Sequence, residues 1–159
     1  MLLIRSVFFT IVIPGTVTVL VPYLVVSPHV ALLIADWNVV RLAGSIAMVP
    51  GLLILLKCIW DFGWVGGGTL APIDPPTELV VSGLYRYVRN PMYLGVFILL
   101  LGEVALFQST DLLEYTAGCV LFINLTVVFY EEPALRRKFG RSYERYCETV
   151  SRWLPRRRA

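Results

Sequence analysis

Two polar clusters contain the residue types that could do chemistry in this chain. The first is the stretch GLYRYVRNPMYLG, Gly83 to Gly95, which places two arginines and three tyrosines at the start of an apolar run. The second is the pair Glu131–Glu132, at the end of a later apolar run. Guanidinium groups bind carboxylates, whereas glutamates accept from an ammonium group or from ribose hydroxyls. Together the clusters suit a ligand that carries both a carboxylate and an ammonium group.

Asn90 and Pro91 predict that a helix begins inside the first cluster. Asn is a favoured N-cap and Pro a favoured first helical residue. The first turn of such a helix offers free N–H groups and a partial positive charge, and Arg89 adds a full one. A ligand carboxylate would be well held at this helix start.

Aromatic side chains in the first cluster extend the range of suitable ligands. The sulfonium of S-adenosylmethionine is a cation that the faces of Tyr85, Tyr87 or Tyr93 could meet. Spacing alone does not identify this ligand. The alternative is that Arg86, Arg89 and the glutamates only anchor helix ends and neutralise one another.

The composition predicts an integral membrane protein of the all-α class. The 159 residues are 57% hydrophobic and 16% charged, and the mean hydropathy is +0.73. A run of 20 apolar residues makes about 30 Å of helix, enough to span a bilayer. We therefore expect a helical bundle with about four transmembrane helices, the last two being short; the runs are Val7–Val26, Val39–Trp60, Met92–Phe107 and Tyr115–Tyr130.

The basic residues predict the orientation in the membrane. Nine of the 14 Lys and Arg residues follow Glu132, which places both termini and residues 61–90 in the cytoplasm. The two outer turns, Pro28–Asn38 and Gln108–Glu114, contain no Lys or Arg. A signal peptide is the alternative for the first run, but that run is long and no A-x-A-like cleavage site follows it. Since the last two spans are antiparallel neighbours, their cytoplasmic ends should bring the two polar clusters together.

The tail after the glutamate pair is expected to form one amphipathic helix on the inner leaflet. Pro133 should stop or bend the last span at Glu132. Apolar residues then recur every three or four positions among basic ones, at Leu135, Phe139, Tyr143, Tyr146 and Val150. A lid over the cytoplasmic mouth is the weaker alternative. Residues 1–159 thus form one membrane domain: scaffold spans (1–60), a cytoplasmic loop (61–90), a hairpin with the cofactor site (91–132) and a basic amphipathic tail (133–159).

Other polar residues are interpreted structurally. Glu103 lies within the third span, where it could line an acceptor path or bond to Asn124 or Thr126 on the neighbouring helix. We expect no metal site, because three scattered cysteines and a lone histidine do not have the spacing of ligands. The expected partners are the lipid bilayer and a lipophilic or lipidated acceptor, with no nucleic acid.

The two polar clusters and the tail resemble the isoprenylcysteine carboxyl methyltransferase family and its phospholipid methyltransferase relatives. Members carry an Arg-His-Pro-x-Tyr element before one membrane helix and a Glu-Glu pair after the next, followed by a Leu, a Phe-Gly and two spaced tyrosines. The resemblance covers roughly residues 60 to 155, and the first two spans resemble nothing specific. The matching residues are Arg89, Pro91, Tyr93, Glu131, Glu132, Leu135, Phe139, Gly140, Tyr143 and Tyr146.

This resemblance implies an S-adenosylmethionine-dependent enzyme that methylates a prenylcysteine-carboxylate-like or phospholipid-like acceptor at the cytoplasmic side. Asn90 replaces the usual His, and an amide cannot titrate, so an acid or base role there is in doubt. The implied catalytic residues are Arg89 and Glu132. The implied cofactor-binding residues are Leu79, Val80, Gly83, Tyr85, Arg89, Asn90, Pro91, Tyr93, Glu131 and Glu132.

Two other functions stay open at this point. A non-catalytic membrane scaffold would use the basic tail to bind anionic lipid. An NADPH-dependent membrane reductase is the less favoured alternative, because sterol reductases usually have Asn-Tyr after an Arg-His pair, whereas this chain has Asn-Pro-Met-Tyr. The identity of the methyl acceptor also stays open, because it would meet mostly apolar helix faces.

Overall fold

The computed structural model describes residues 12–27, 36–65 and 79–155, and this part of the chain is helical. A short 3-10 helix, Gly83–Arg86, precedes the third helix. The described backbone forms one isolated parallel bridge, Val88–Ser151, and no strand. The helices are α1 (Val12–Val26), α2 (Val39–Val65), α3 (Pro91–Phe107), α4 (Thr110–Phe139) and α5 (Arg141–Thr149).

Two of these helices are long and apolar enough to cross a membrane, judged by length and composition. The crossing segments are Val39–Asp61 in α2 and Thr110–Phe139 in α4, whereas α1 and α3 are shorter. Large apolar side chains point outward from both long helices, since Leu53 is 61% and Phe122 is 70% exposed. Such faces suit lipid. The count of four spans stays a prediction, and residues 1–11 lie outside the described part.

Glycines let α2 and α3 approach each other closely. A Cβ at Gly44 would lie 2.6 Å from the carbonyl oxygen of Gly102, and a Cβ at Gly95 would lie 3.0 Å from that of Gly51. Small residues at a helix interface allow such backbone contact in membranes. The second half of α2 and the first part of α3 bury a shared core, formed by Leu55, Cys58, Met92, Val96, Leu99 and Leu100.

A two-residue turn makes α3 and α4 antiparallel neighbours. Gln108 adopts a left-handed conformation with φ 52°, and the hydroxyl of Ser109 accepts from the N–H of Leu112 at 3.4 Å. The outer turn is therefore shorter than the expected Gln108–Glu114, because α4 already begins at Thr110. The antiparallel arrangement predicted for the last two spans is confirmed.

Of the stop or bend expected at Glu132, the stop is wrong. The chain stays helical to Phe139, and a π-helical segment, Val127–Glu131, lies directly before Pro133. The N–H of Glu132 bonds to the carbonyl of Val127, one residue further back than in an α-helix. A wider turn of this kind accommodates a residue that cannot donate a hydrogen bond. The same device precedes Pro22 in α1, where the π-helical segment is Thr16–Leu20.

The expected single amphipathic tail helix is also wrong. Gly140, with φ 52°, separates the end of α4 from α5. The apolar face does not lie open to the bilayer, because Tyr143, Tyr146 and Val150 are buried against other parts of the chain. The residues packed around them are Leu79, Leu135, Phe139 and Cys147. The tail therefore folds back over the protein, which fits the lid interpretation better than the interfacial one.

The glycine contacts between α2 and α3 predict a difference between two conservative substitutions. Gly44→Ala should destabilise the protein by about 1–3 kcal/mol, because the new methyl group overlaps the backbone of α3. Gly118→Ala is the matched control, since a Cβ there meets nothing within 4 Å, and alanine should favour the helix by up to about 1 kcal/mol. Unfolding midpoints in detergent measure both; a Gly44→Ala protein as stable as wild type would refute the close approach.

Candidate functional site

The centre of the site is the carboxylate of Glu132, which is 7% exposed. Arg89 Nη1 lies 3.1 Å from its Oε1. Arg152 forms a two-pronged contact, with Nε donating to Oε1 at 2.6 Å and Nη2 donating to Oε2 at 2.9 Å. Because a buried carboxylate is costly unless paired, the two arginines stabilise its position. The hydrogen bond to Glu132 in turn raises the pKa of Arg152.

A second contact joins the start of α3 to the glutamate pair in α4. The Tyr93 hydroxyl donates a hydrogen bond to Oε1 of Glu131. The two polar clusters of the sequence therefore meet in space, although Tyr93 and Glu131 are 38 residues apart in the chain. Arg89 also donates to Cys147 Sγ at 2.8 Å, and its Nε has no partner within the described residues.

The segment after α5, residues 150–155, returns to the start of α3, and we call it the C-terminal strap. The N–H of Arg89 donates to the carbonyl of Ser151 at 2.9 Å, next to the Val88–Ser151 bridge. The Asn90 side chain donates to the carbonyl of Arg152 at 3.3 Å. Asn90 therefore holds the N-cap position, as predicted, but its side chain does not cap α3; it holds the strap.

The three tyrosines of the first cluster have different surroundings. Tyr85 packs against the core between α2 and α3, Tyr87 is 62% exposed, and Tyr93 is bound to Glu131. The Tyr146 hydroxyl on α5 donates to the carbonyl of Tyr85 at 2.6 Å. Burial raises the pKa of Tyr143 on the same helix to about 12, so this hydroxyl stays protonated at neutral pH. Tyr85 therefore packs against the protein core, and its ring does not present an open face to a cation.

The backbone before α3 lies beside the inner end of α2. Leu79 packs on the tail, and Val80 is buried. Gly83 has φ 58°, and a Cβ there would overlap the carboxylate of Asp61. Pro91 is fully buried at the start of α3. These predicted residues flank the Arg89–Glu132 pair along the chain, and the structure adds Asp61 as a neighbour.

An apolar groove of about 570 Å³ runs between α3 and α4. Trp153 of the strap lies at one end of it, donating to Asn124 Oδ1 at 3.3 Å and packing 5.5 Å from the ring of Phe97. The groove therefore extends from beside Arg152 along the lipid-facing sides of both helices. Its lining is Leu94, Phe97, Leu101, Leu113, Thr116, Ala117, Val120, Leu121, Asn124 and Trp153.

Glu103 does not take either of its expected partners. Asn124 accepts from Trp153, and the Thr126 hydroxyl donates to the carbonyl of Phe122. Glu103 is buried, and among the described residues its Oε2 has no hydrogen-bond partner. It is not part of the groove lining either.

Four neighbours of the site were not predicted from the sequence: Ser151, Arg152, Trp153 and Asp61. The first three stand in the run VSRWLP directly after the amphipathic pattern. The available signal was Arg152, a basic residue just beyond the amphipathic pattern. The apolar face of that pattern could pack on the protein as well as on lipid. That signal was overlooked because the tail was assigned to the membrane surface.

The strap contacts predict that Arg152→Ala loosens the chain at the start of α3. Without the two hydrogen bonds to Glu132, the strap should detach more often, and the Arg89 N–H, bonded to Ser151, should exchange with solvent at least several-fold faster. Arg145→Ala is the control, because that side chain is exposed on α5. Hydrogen exchange followed by mass spectrometry over residues 79–95 measures the effect. Equal exchange in Arg152→Ala and wild type would contradict the role of this contact.

Comparison with known proteins places this arrangement in a family. Residues 39–142 match the family described as phospholipid methyltransferase. A probable protein-S-isoprenylcysteine O-methyltransferase of Oryza sativa, in subspecies indica and japonica alike, is 35% identical over 79 residues, which are 49% of this chain and 41% of that protein. The protein-S-isoprenylcysteine O-methyltransferase of Schizosaccharomyces pombe is 39% identical over 80 residues, 48% of this chain and 33% of the relative.

The matched stretch thus covers less than half the length of these curated relatives. No solved structure matches the chain. The family match begins at the start of α2, which shows that the second span is part of the shared region, although its sequence alone resembled nothing specific. Because the match also includes α3, the whole of α4 and the Arg89–Glu132 pair, the chain belongs to the phospholipid methyltransferase family.

Proposed function

We propose that this protein is an integral membrane methyltransferase that uses S-adenosylmethionine to methylate a lipophilic acceptor at the cytoplasmic side. The observation that carries the proposal is the buried contact of Glu132 with Arg89 and Arg152 at the joined ends of α3 and α4. Family membership and the methyltransferase names of the relatives support it. The many basic residues after Glu132 support the cytoplasmic assignment of this end and of both termini.

The charged groups at the site fit the amino-acid part of the cofactor. Arg89 Nε is a buried donor with no partner within the described chain, so the guanidinium has a free N–H for a carboxylate. Glu131 and Glu132 offer the acceptors that an ammonium group needs. S-adenosylmethionine, when bound, supplies a methyl group activated by its sulfonium. The residues of this chain then have to orient donor and acceptor and exclude water.

The remaining predicted residues have supporting roles in this proposal. Backbone from Leu79 to Tyr85, including Val80 and Gly83, would contact the adenosine part. Pro91 fixes the start of α3, and the hydrogen bond from Tyr93 orients Glu131. Asn90 keeps the strap in place through the carbonyl of Arg152, a task that does not require a titrating side chain.

The groove between α3 and α4 is proposed to hold the hydrocarbon chain of the acceptor. Its lining is almost entirely apolar, and it lies on lipid-facing helix surfaces. Its Trp153 end adjoins Arg152 and hence Glu132. A lipid tail could therefore stay in the bilayer while its head reaches the polar site. A prenylated cysteine carboxylate and a phospholipid amine both meet this description.

The site predicts that Arg89→Ala and Glu132→Gln each weaken S-adenosylmethionine binding. The loss of a charge-assisted hydrogen bond, about 1.5–3 kcal/mol, corresponds to roughly 10- to 150-fold in affinity. Isothermal titration of the purified protein in detergent measures the dissociation constant. Arg137→Ala, an exposed change on the same tail, should bind like wild type. Unaltered affinity in both site variants, with thermal midpoints showing folded proteins, would count against the proposal.

The groove predicts that filling it impairs acceptor use without affecting the cofactor. Leu121→Trp places a larger side chain in the groove, whereas Phe122→Trp changes the neighbouring residue, which does not line it. We expect the first variant to raise the acceptor KM about tenfold, equivalent to about 1.4 kcal/mol, and the second to behave like wild type. Radiolabel transfer to N-acetyl-S-farnesylcysteine or to phosphatidylethanolamine vesicles reports activity. Equal KM values in the two variants would exclude the groove as the acceptor site.

A further inference from the structure

Asp61, at the cytoplasmic end of the candidate span in α2, is a buried carboxylate with a free oxygen. It is only 8% exposed. Its Oδ1 accepts from the ammonium group of Lys57, one turn earlier. Its Oδ2 is buried and has no hydrogen-bond partner in the part of the chain that the structure describes. A buried acceptor without a donor is destabilising. A ligand that donates a hydrogen bond to Oδ2 would remove this cost.

The surroundings of Asp61 give this oxygen a defined direction. It lies against Gly83, where the absence of a side chain and the positive φ leave room for the carboxylate. Tyr85, two residues after Gly83, accepts through its carbonyl from the Tyr146 hydroxyl on α5 at 2.6 Å, and Arg89 donates to Cys147 on the same helix. Asp61 therefore belongs to the same polar region as Arg89 but meets it from the α2 side of Tyr85.

The other carboxylates of this region are assigned to the amino-acid part of the cofactor. Glu131 accepts from Tyr93, and Glu132 is contacted by Arg89 and Arg152. The amino-acid part of a nucleoside ligand has its suitable partners there, but its ribose still needs an acceptor. An acidic side chain that accepts from ribose hydroxyls is a general device of nucleotide sites on other folds. The free oxygen of Asp61 has the chemistry for this role.

We infer that Asp61 is a cofactor-binding residue that accepts a hydrogen bond from a ribose hydroxyl, with Gly83 providing the space for the contact. This inference rests on the proposed function. It assigns the nucleoside part of the cofactor to the place where Asp61 on α2 meets Gly83 in the backbone before α3. Lys57, whose side chain is 54% exposed, contacts the other oxygen of this carboxylate, Oδ1.

The test is a titration of full-length protein with S-adenosylhomocysteine and with its 2′,3′-dideoxyribose analogue. Asp61→Asn should weaken binding of S-adenosylhomocysteine about tenfold or more and should leave the dideoxy analogue unchanged, since that analogue has no hydroxyl to lose. Lys57→Gln is the matched control; it removes the ion pair but keeps the acceptor, and it should preserve the preference of wild type for the ribose form.

Several outcomes would overturn the inference. If Asp61→Asn binds S-adenosylhomocysteine like wild type, or loses affinity equally for both ligands, then Asp61 does not read the ribose. An equal loss in Lys57→Gln would assign the effect to the ion pair. If Asp61→Asn does not fold, Gly83→Ala provides the same test, because its methyl group displaces the carboxylate. Wild-type protein that binds neither ligand would instead overturn the proposed function itself.

Discussion

The structure around the site depends on the pairing of one buried carboxylate. Glu132 is almost inaccessible, so its charge must be compensated within the protein. The compensation comes from two segments far apart in the chain: Arg89 before α3 and Arg152 after α5. Removing either arginine would leave the other contact to compensate the whole charge. This one interaction therefore connects α4, the start of α3 and the C-terminal strap.

Three features of the fold place Glu132 where both arginines can reach it. The glycine contacts fix α3 against α2, and the two-residue turn then fixes α4 beside α3. The π-helical segment Val127–Glu131 adds one residue to its turn, which rotates everything after it by about 100° relative to a regular α-helix. Glu132 and the tail follow directly after this segment. Irregular helix turns of this kind occur often at functional sites, and here the turn also accommodates Pro133.

Local rules explain what the sequence could predict. The start of α3 follows from Asn90 and Pro91, and the contact between the two polar clusters follows from antiparallel spans joined by a short turn. The sequence could not reveal how the chain continues beyond Glu132. A proline normally ends a helix, and its accommodation depends on a widened turn that has no sequence signature. The strap is held to the start of α3 through Ser151 and Arg152, across about 60 residues, and such contacts are set by tertiary packing.

The contacts of Glu132 also bear on how a charged ligand could bind without dismantling the site. A carboxylate offers about four lone-pair positions, and three nitrogen atoms of Arg89 and Arg152 contact this one. One position on Oε2 is left, beside the second arginine nitrogen. A ligand ammonium would meet that oxygen together with the neighbouring Glu131, while a ligand carboxylate would meet the free Nε of Arg89. The arginines can therefore stay in place during binding, because the ion cluster that shapes the site leaves one acceptor and one donor for the zwitterionic end of the ligand.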